Sequence, residues 1–380
     1  MLGLLWIVLG LAFLLSLLSV RGEAARERYY REMLARQQNA PAPKAAVIVP
    51  VKGLEEGLRE NLASLASLDY PDYELIVVAR SQSDLPGWLV PPQARVILAG
   101  PGDPDTSEKI NNLLAAVAQV KPGTELLAFA DSDGQVAPGW LRALASALAE
   151  PDAGAATGYR WHLPQRPNFW SLLRSVWNAV IAGNMGPGQN QFAWGGAMAI
   201  RVESFHSLQV PAWWKGAISD DYRLSQAVRA AGLRIAFAPG ALVASVDSTS
   251  GREFLAWSRR QMMITRFYAP RLWAVALTAH AIYCGAMVAG AWLAANGSFA
   301  AAGLLAFNLG AGWWKAARRL ALARLAMPEW RTWFDRYSKL HLALVPAGTW
   351  AWLWSALSAG FGHTIHWRGY RLTLRRLPSP

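Results

Sequence analysis

The stretch FADSDGQVAPGWL, residues 129–141, decides how the rest of the chain is read. An apolar run from Leu126 to Ala130 stops at two carboxylates one residue apart, Asp131 and Asp133, with Gly134 directly behind them. A short apolar run closed by a turn signal reads as a buried strand, and open α/β sheets collect ligands at the carboxyl ends of their strands. Carboxylate oxygens at i and i+2 suit a hard divalent cation, Mg²⁺ or Mn²⁺. Magnesium takes one or two protein carboxylates and fills its shell with water and substrate phosphates, which points to a nucleotide diphosphate as the second ligand. The competing reading is a plain polar turn before Gly134.

Outward from this point, short apolar runs alternate with amphipathic stretches from Ala45 to about Ala244, the pattern of an α/β domain around a mostly parallel sheet. The expected strands are 45–50, 74–79, 94–99 and 125–130, with helices over 54–68, 107–120 and 138–149 between them. Asp105 and Glu108 stand at capping-box spacing before the second of these helices. The only linker-like stretch is QQNAPAP, residues 37–43.

A second acidic site follows in ISDDYRLSQAVRAAGLRIAFAP, residues 218–239. Asp220 and Asp221 open a helical pattern, where one carboxylate suffices for capping. Two adjacent carboxylates raise each other's pKa, which serves a group that must accept a proton. A basic helix, GREFLAWSRRQMMITRF at 251–267, then places Arg259, Arg260 and Arg266 beside Trp257. Such a helix can lie in a membrane interface, and its arginines can neutralise a diphosphate leaving group.

Composition directs these pieces to a membrane. Of the 380 residues 53% are apolar and 20 are tryptophan. Residues 1–20 carry no charge and are long enough to cross a bilayer of about 30 Å, an expected uncleaved anchor. Arg21, Arg26, Arg28, Arg31 and Arg36 follow it in a basic linker, residues 21–43, and positive charge beside a span stays cytosolic. The polar domain, 44–250, is therefore expected in the cytosol, followed by an amphipathic interfacial helix at 251–270. Membrane helices are expected over 271–361: a hairpin of 272–295 and 298–314 turning at Asn296-Gly297, a basic interfacial segment at 315–340, and a last apolar stretch at 342–361. The tail, 362–380, carries Arg368, Arg371, Arg375 and Arg376, which favour the cytosol although three crossings after a cytosolic domain would put it outside. The net charge of +12 clusters beside these apolar spans with no nucleic-acid motif, so no nucleic-acid partner is expected. The single Cys284 rules out a disulfide within the chain and a cysteine-rich zinc site.

Taken in order, VIVPVKG (47–53), NLASLASLDYPDYELIVVA (61–79), EKINNL (108–113), FADSD (129–133), HLP (162–164), GGAMAI (195–200) and SDDYRLSQAVRAAGLR (219–234) resemble the family 2-type inverting glycosyltransferases of the GT-A fold, in their ceramide glucosyltransferase branch. The resemblance implies a membrane-bound enzyme moving a hexose, first of all glucose, from a UDP-sugar to a lipid hydroxyl of ceramide or diacylglycerol type. It implies that Asp131 contacts the nucleotide, Asp133 supports the metal, Asp221 is the general base, Lys109 lies near the phosphates and Asp84 recognises the uridine side. The acceptor and leaving-group region would comprise Asp220, Trp257, Arg259 and Arg260. The family's Q/R-x-x-R-W motif is altered here to Arg260-Gln261-Met262-Met263-Ile264, with Arg259 or Arg266 as substitutes one turn away, and Trp367-Arg368-Gly369 resembles a membrane-face element of related enzymes. Two alternatives share these residues: a haloacid-dehalogenase-like phosphatase, which also places D-x-D-G after a strand, and a non-catalytic membrane scaffold that keeps the fold.

Overall fold

The computed structural model describes residues 2–85, 87–189, 191–367 and 369–380. Among them, eight strands form one mixed sheet flanked by helices. The strands are β1 (Ala45–Pro50), β2 (Tyr73–Ala79), β3 (Arg95–Leu98), β4 (Leu126–Ala130), β5 (Gln135–Val136), β6 (Ala153–His162), β7 (Ala197–Arg201) and β8 (Arg234–Ser245), in the spatial order β3-β2-β1-β4-β7-β6-β8-β5. The four expected strands are thus β1 to β4, each within two residues of its expected ends, and all run parallel. Their continuous apolar sequences fit burial on both faces. Beyond β4 the sheet turns antiparallel through β7.

Chain order reverses beside β1, whose neighbours are β2 on one side and β4 on the other, both parallel to it. Such a switch point opens a crevice at the carboxyl ends of the strands. The helices Leu58–Ala66, Glu108–Val117 and Trp140–Leu148 fall inside the expected ranges. The cap of the second differs from expectation: Ser107, not Asp105, accepts from the backbone of Ile110 at 3.4 Å. Asp105 lies in the preceding turn, its own N–H donating to Asp103.

Two segments among the described residues, Leu2–Asn39 and Pro270–Ala295, include helices long and apolar enough to cross a membrane. The anchor helix, Leu2–Val20, packs Leu9 and Ala12 against Ala286, Ala289 and Leu293 of the second and against Ala301 of the next helix, Phe299–Ala326. Small residues at this seam let the helices approach closely. The outward side chains, including Leu4, Ile7, Leu14, Val288 and Phe299, stay exposed.

The basic segment departs from the expected single interfacial element. The helix Phe299–Ala326 runs unbroken from the apolar stretch into the basic one, and ends before Pro328, which cannot donate a helical hydrogen bond. A further helix, Arg331–Ala343, follows. Leu320, Leu322, Trp333 and Phe334 belong to the main core, and Trp333 donates to the Pro164 carbonyl at 3.0 Å, so this apolar face meets the α/β domain.

The last apolar helix, Val345–Ser358, has 14 residues. At 1.5 Å per residue it reaches about 21 Å, short of a bilayer core of about 30 Å. It docks instead on the helix Phe169–Ala182, where Trp352 stacks on Trp177 at 4.3 Å and donates to its carbonyl at 2.9 Å. The chain then forms a hairpin of β9 (Thr364–Trp367) and β10 (Tyr370–Thr373). It returns to the α/β domain, where Arg223 donates to the Pro378 carbonyl at 3.0 Å and Arg375 lies 3.8 Å from Asp105. Tail and α/β domain are therefore packed together. Of the tail residues singled out above, Arg368 lies outside the described residues.

Candidate active site

Asp131 and Asp133 leave the end of β4 on the same side because Ser132, between them, turns inward. Its hydroxyl donates to Glu55 at 2.6 Å and its carbonyl accepts from Asn61 at 2.9 Å. Lys109, in the first turn of the helix Glu108–Val117, donates to Asp131 at 2.8 Å. The same ammonium lies 3.1 Å from the buried Asp220 carboxylate. Asp220 and Asp221 open the helix Asp220–Ala230, capped by Ser219. Asp221 accepts from the Gly195 N–H at 3.2 Å and from the Tyr222 N–H at 2.8 Å, and from the Ser219 hydroxyl. The Gly195 carbonyl lies 3.4 Å from the Lys109 ammonium. One lysine and one glycine thus tie both acidic sites together.

Arg160, from β6, completes the cluster. Its guanidinium is 2.5 Å from Asp133 and 3.6 Å from Asp131, and it lies over the Trp194 ring. Burial works against charge on Lys109, but Asp131, Asp220 and Asp221 together hold it above the ordinary lysine value. Burial likewise opposes ionisation of Asp131, yet Lys109 and Arg160 hold it below the ordinary range. At Asp220 burial prevails over Lys109, and with Asp221 and Asp131 nearby it raises the carboxyl to about 6.

The cluster opens into a cavity of about 1070 Å³. Lys109, Asp131, Asp133, Arg160, Asp220 and Asp221 line one part of it. Leu272, Val275, Ala276 and Ala279 line another, all from the apolar helix Pro270–Ala295. Trp257 and Arg260, from the helix Gly251–Tyr268, stand in the same lining. Trp257 packs edge-on against Trp177 at 5.0 Å, and burial with the Arg160 charge lowers Arg260 to about 10. Among the described residues no carboxylate lies within ion-pair distance of Arg260.

Three residues expected at the site sit elsewhere. Arg259 points from the same helix away from the cavity, donating to the carbonyls of Ser358 at 3.2 Å and Phe361 at 3.1 Å. Arg266 likewise donates to Gly360 and Gly362, so neither substitutes for the altered motif at the cavity wall. Carbonyls at a helix carboxyl end attract cations, which accounts for both placements. Asp84 ends a one-turn helix beyond β2, accepts from the Ser81 hydroxyl at 2.6 Å and does not line the cavity. Conversely Arg160, Trp194 and Gly195 join the site although no local pattern of titratable residues marks them; Gly195 opens GGAMAI, with Trp194 directly before it, and Arg160 stands two residues before HLP.

The residues fit a divalent cation in a limited way. Among the described residues no group of three His, Cys, Asp or Glu side chains could hold one alone. Asp131 and Asp133 offer acceptor oxygens one residue apart, already bridged by a cation, Arg160. An ion here needs phosphate oxygens or water to complete its shell, the usual magnesium arrangement.

A profile of glycosyl transferase family 21 matches residues 5–379. The chain belongs to glycosyl transferase family 21. It is therefore a glycosyltransferase, in agreement with the resemblance carried by the motifs, and the phosphatase alternative falls away. Among solved structures it is similar to mannosyltransferase PcManGT from Pyrobaculum calidifontis in complex with GDP-Man and Mn²⁺, at 21% identity over 92% of this chain and 99% of that one, with a TM-score of 0.47. It is also similar to glucosyl-3-phosphoglycerate synthase from Mycobacterium tuberculosis in complex with Mn²⁺ and UDP-glucose, at 17% identity over 63% of this chain and 83% of that one, with a TM-score of 0.41.

Proposed function

We propose that this family 21 member transfers a hexose, glucose before others, from a UDP-sugar to the hydroxyl of a ceramide-like or diacylglycerol-type lipid, with inversion at the anomeric carbon. One observation carries the reading: a single cavity is lined at once by the carboxylate cluster and by the apolar helix Pro270–Ala295. A nucleotide sugar needs the first, and a lipid hydroxyl arriving from a bilayer needs the second.

Asp221 is the base. Its carboxylate, fixed in direction by the N–H groups of Gly195 and Tyr222, takes the proton of the lipid hydroxyl. The oxygen then bonds to the anomeric carbon as the bond from that carbon to the phosphate oxygen breaks, and UDP leaves. Asp133 would hold Mg²⁺ or Mn²⁺ together with the diphosphate, Asp131 beside it would contact the nucleotide, and the ion would supply charge neutralisation of departing UDP. Lys109 and Arg260 add fixed positive charge from the protein at the same place. Asp220 orients Lys109 through their 3.1 Å pair.

The chain would sit in the cell membrane as a multi-pass protein, with the anchor and the 270–326 hairpin crossing and the catalytic domain and tail in the cytosol. The basic linker after the anchor supports this orientation, as does the return of the tail to the α/β domain.

The test is mass spectrometry of lipids made by purified protein from a panel of UDP-sugars and lipid alcohols. Asp221→Asn is expected to abolish glycolipid while retaining UDP binding; undiminished turnover would refute the base assignment.

A further inference from the structure

With Asp84 off the cavity, the end of the cleft beyond β1 and β2 is built differently. Lys52, Arg80, Glu108 and Tyr370 line it. The Tyr370 hydroxyl donates to Glu108 Oε2 at 2.6 Å and accepts from Arg80 at 3.2 Å. Lys52 Nζ lies 3.6 Å from the Tyr370 ring centroid and 3.2 Å from Glu108 Oε1, and Arg80 is 3.6 Å from the same carboxylate. Tyr370 therefore touches all three of the others, although it is 262 residues from Glu108 in sequence.

It arrives there on the β9–β10 hairpin. Leu372 pairs with Ile365 across the hairpin, and alternation along a strand puts Tyr370 on the same face as Leu372. Ile365 and Leu372 also line the cavity, so this face of the hairpin is one of its walls. The entry to the hairpin is fastened by Arg259 and Arg266 to the carbonyls of 360–362, and its exit by the buried Leu374.

We infer that the hairpin is part of the donor site and that Tyr370 is a positioning residue for the nucleoside half of the sugar nucleotide, an inference resting on the function proposed above. A nucleoside presents carbonyl oxygens and hydroxyl groups. Lys52 and Arg80 supply donors for them and Glu108 an acceptor, and the phenol holds the three at fixed spacing. Glu108 precedes Lys109, which reaches Asp131, so adjacent residues of one helical turn address the nucleoside and the diphosphate.

The experiment is calorimetric titration of UDP and UMP into the purified full chain in nanodiscs, for wild type, Tyr370→Phe and Thr373→Ala, with melting curves taken in the absence of nucleotide. Thr373 is exposed at the far end of the same strand and serves as the control. Tyr370→Phe is expected to weaken UDP and UMP alike by about tenfold, the loss of a hydrogen bond to a charged group, while melting as Thr373→Ala does. Wild-type affinity for both nucleotides overturns the inference, as does a loss confined to UDP, which would place the effect at the diphosphate. Weakening accompanied by a melting temperature well below that of Thr373→Ala assigns Tyr370 to packing alone and overturns it as well. A wild-type chain that binds neither nucleotide overturns the sugar-nucleotide reading beneath it.

Discussion

Substituting Gly195 by alanine adds one methyl group to a residue whose backbone conformation does not require glycine. The structure nevertheless marks it as severe. A Cβ at this position would lie 2.6 Å from Asp220 Oδ2 and 2.7 Å from Lys109 Nζ, where ordinary contact begins at 3.4 Å. About 0.8 Å of separation must therefore be found, and neither group yields without loss because Lys109 is held between Asp131 and the buried Asp220. Movement of Lys109 loosens Asp131, while movement of the backbone shifts the N–H that fixes Asp221. A displacement of this size at reacting groups costs about 100-fold in rate. Breaking a buried ion pair costs up to about 3–5 kcal/mol of stability, which sets the upper bound on the fall in melting. The assay is the initial rate of glycolipid formation, run beside thermal melting, with Gly303→Ala as control because nothing lies within 4 Å of a Cβ there. A Gly195→Ala enzyme with the kcat of wild type would refute the claim that this glycine holds the two acidic sites together.

Two further outcomes follow from the same geometry. Ala279→Trp fills the apolar part of the cavity, so lipid glycosylation is expected to fall by ~10-fold or more while UDP affinity stays within ~2-fold; parallel loss of both would contradict separate donor and acceptor ends. Asp220 titrates at about 6 in the folded chain against an ordinary 3.8. A carboxyl raised on folding favours the folded state below its unfolded pKa and loses that advantage as pH rises through the folded one. In EDTA, the melting temperature of wild type relative to Asp220→Asn is therefore expected to drop from about pH 4 to about pH 7; a gap that does not change with pH speaks against the burial of an ionisable Asp220.

Much of the parallel half of the sheet was legible because each strand is a short apolar run between turn signals, as AAVIVP and LLAFA are. The half beyond β4, where β7 runs antiparallel to its neighbours, was not. β6 begins with the small, featureless AGAAT, and β8 carries Pro239-Gly240 within it, both poor strand signals. At 315 the composition changes from apolar to basic, which reads as a boundary, yet a helix backbone is indifferent to that change and stops only before Pro328. The carboxylates of the site were legible because their spacing is local: i and i+2 at Asp131, and adjacent at Asp220. Arg160 and Tyr370 were not, since they reach their partners across 27 and 262 residues through tertiary folding that no local pattern records. Arg259 was misplaced for a related reason: neighbours on a helix point about 100° apart, and only packing decides which one meets the cavity.

The helix Pro270–Ala295 has two employments. Its first turns, through His280, wall the cavity, whereas Val288 and Trp292 further along face outward. In a bilayer such a helix adjusts its tilt to the thickness of the surrounding acyl layer. On the membrane arrangement proposed above, any such tilt would move Leu272, Val275 and Ala279 relative to carboxylates fixed on the sheet, and turnover is expected to change with the length of the host lipids' chains.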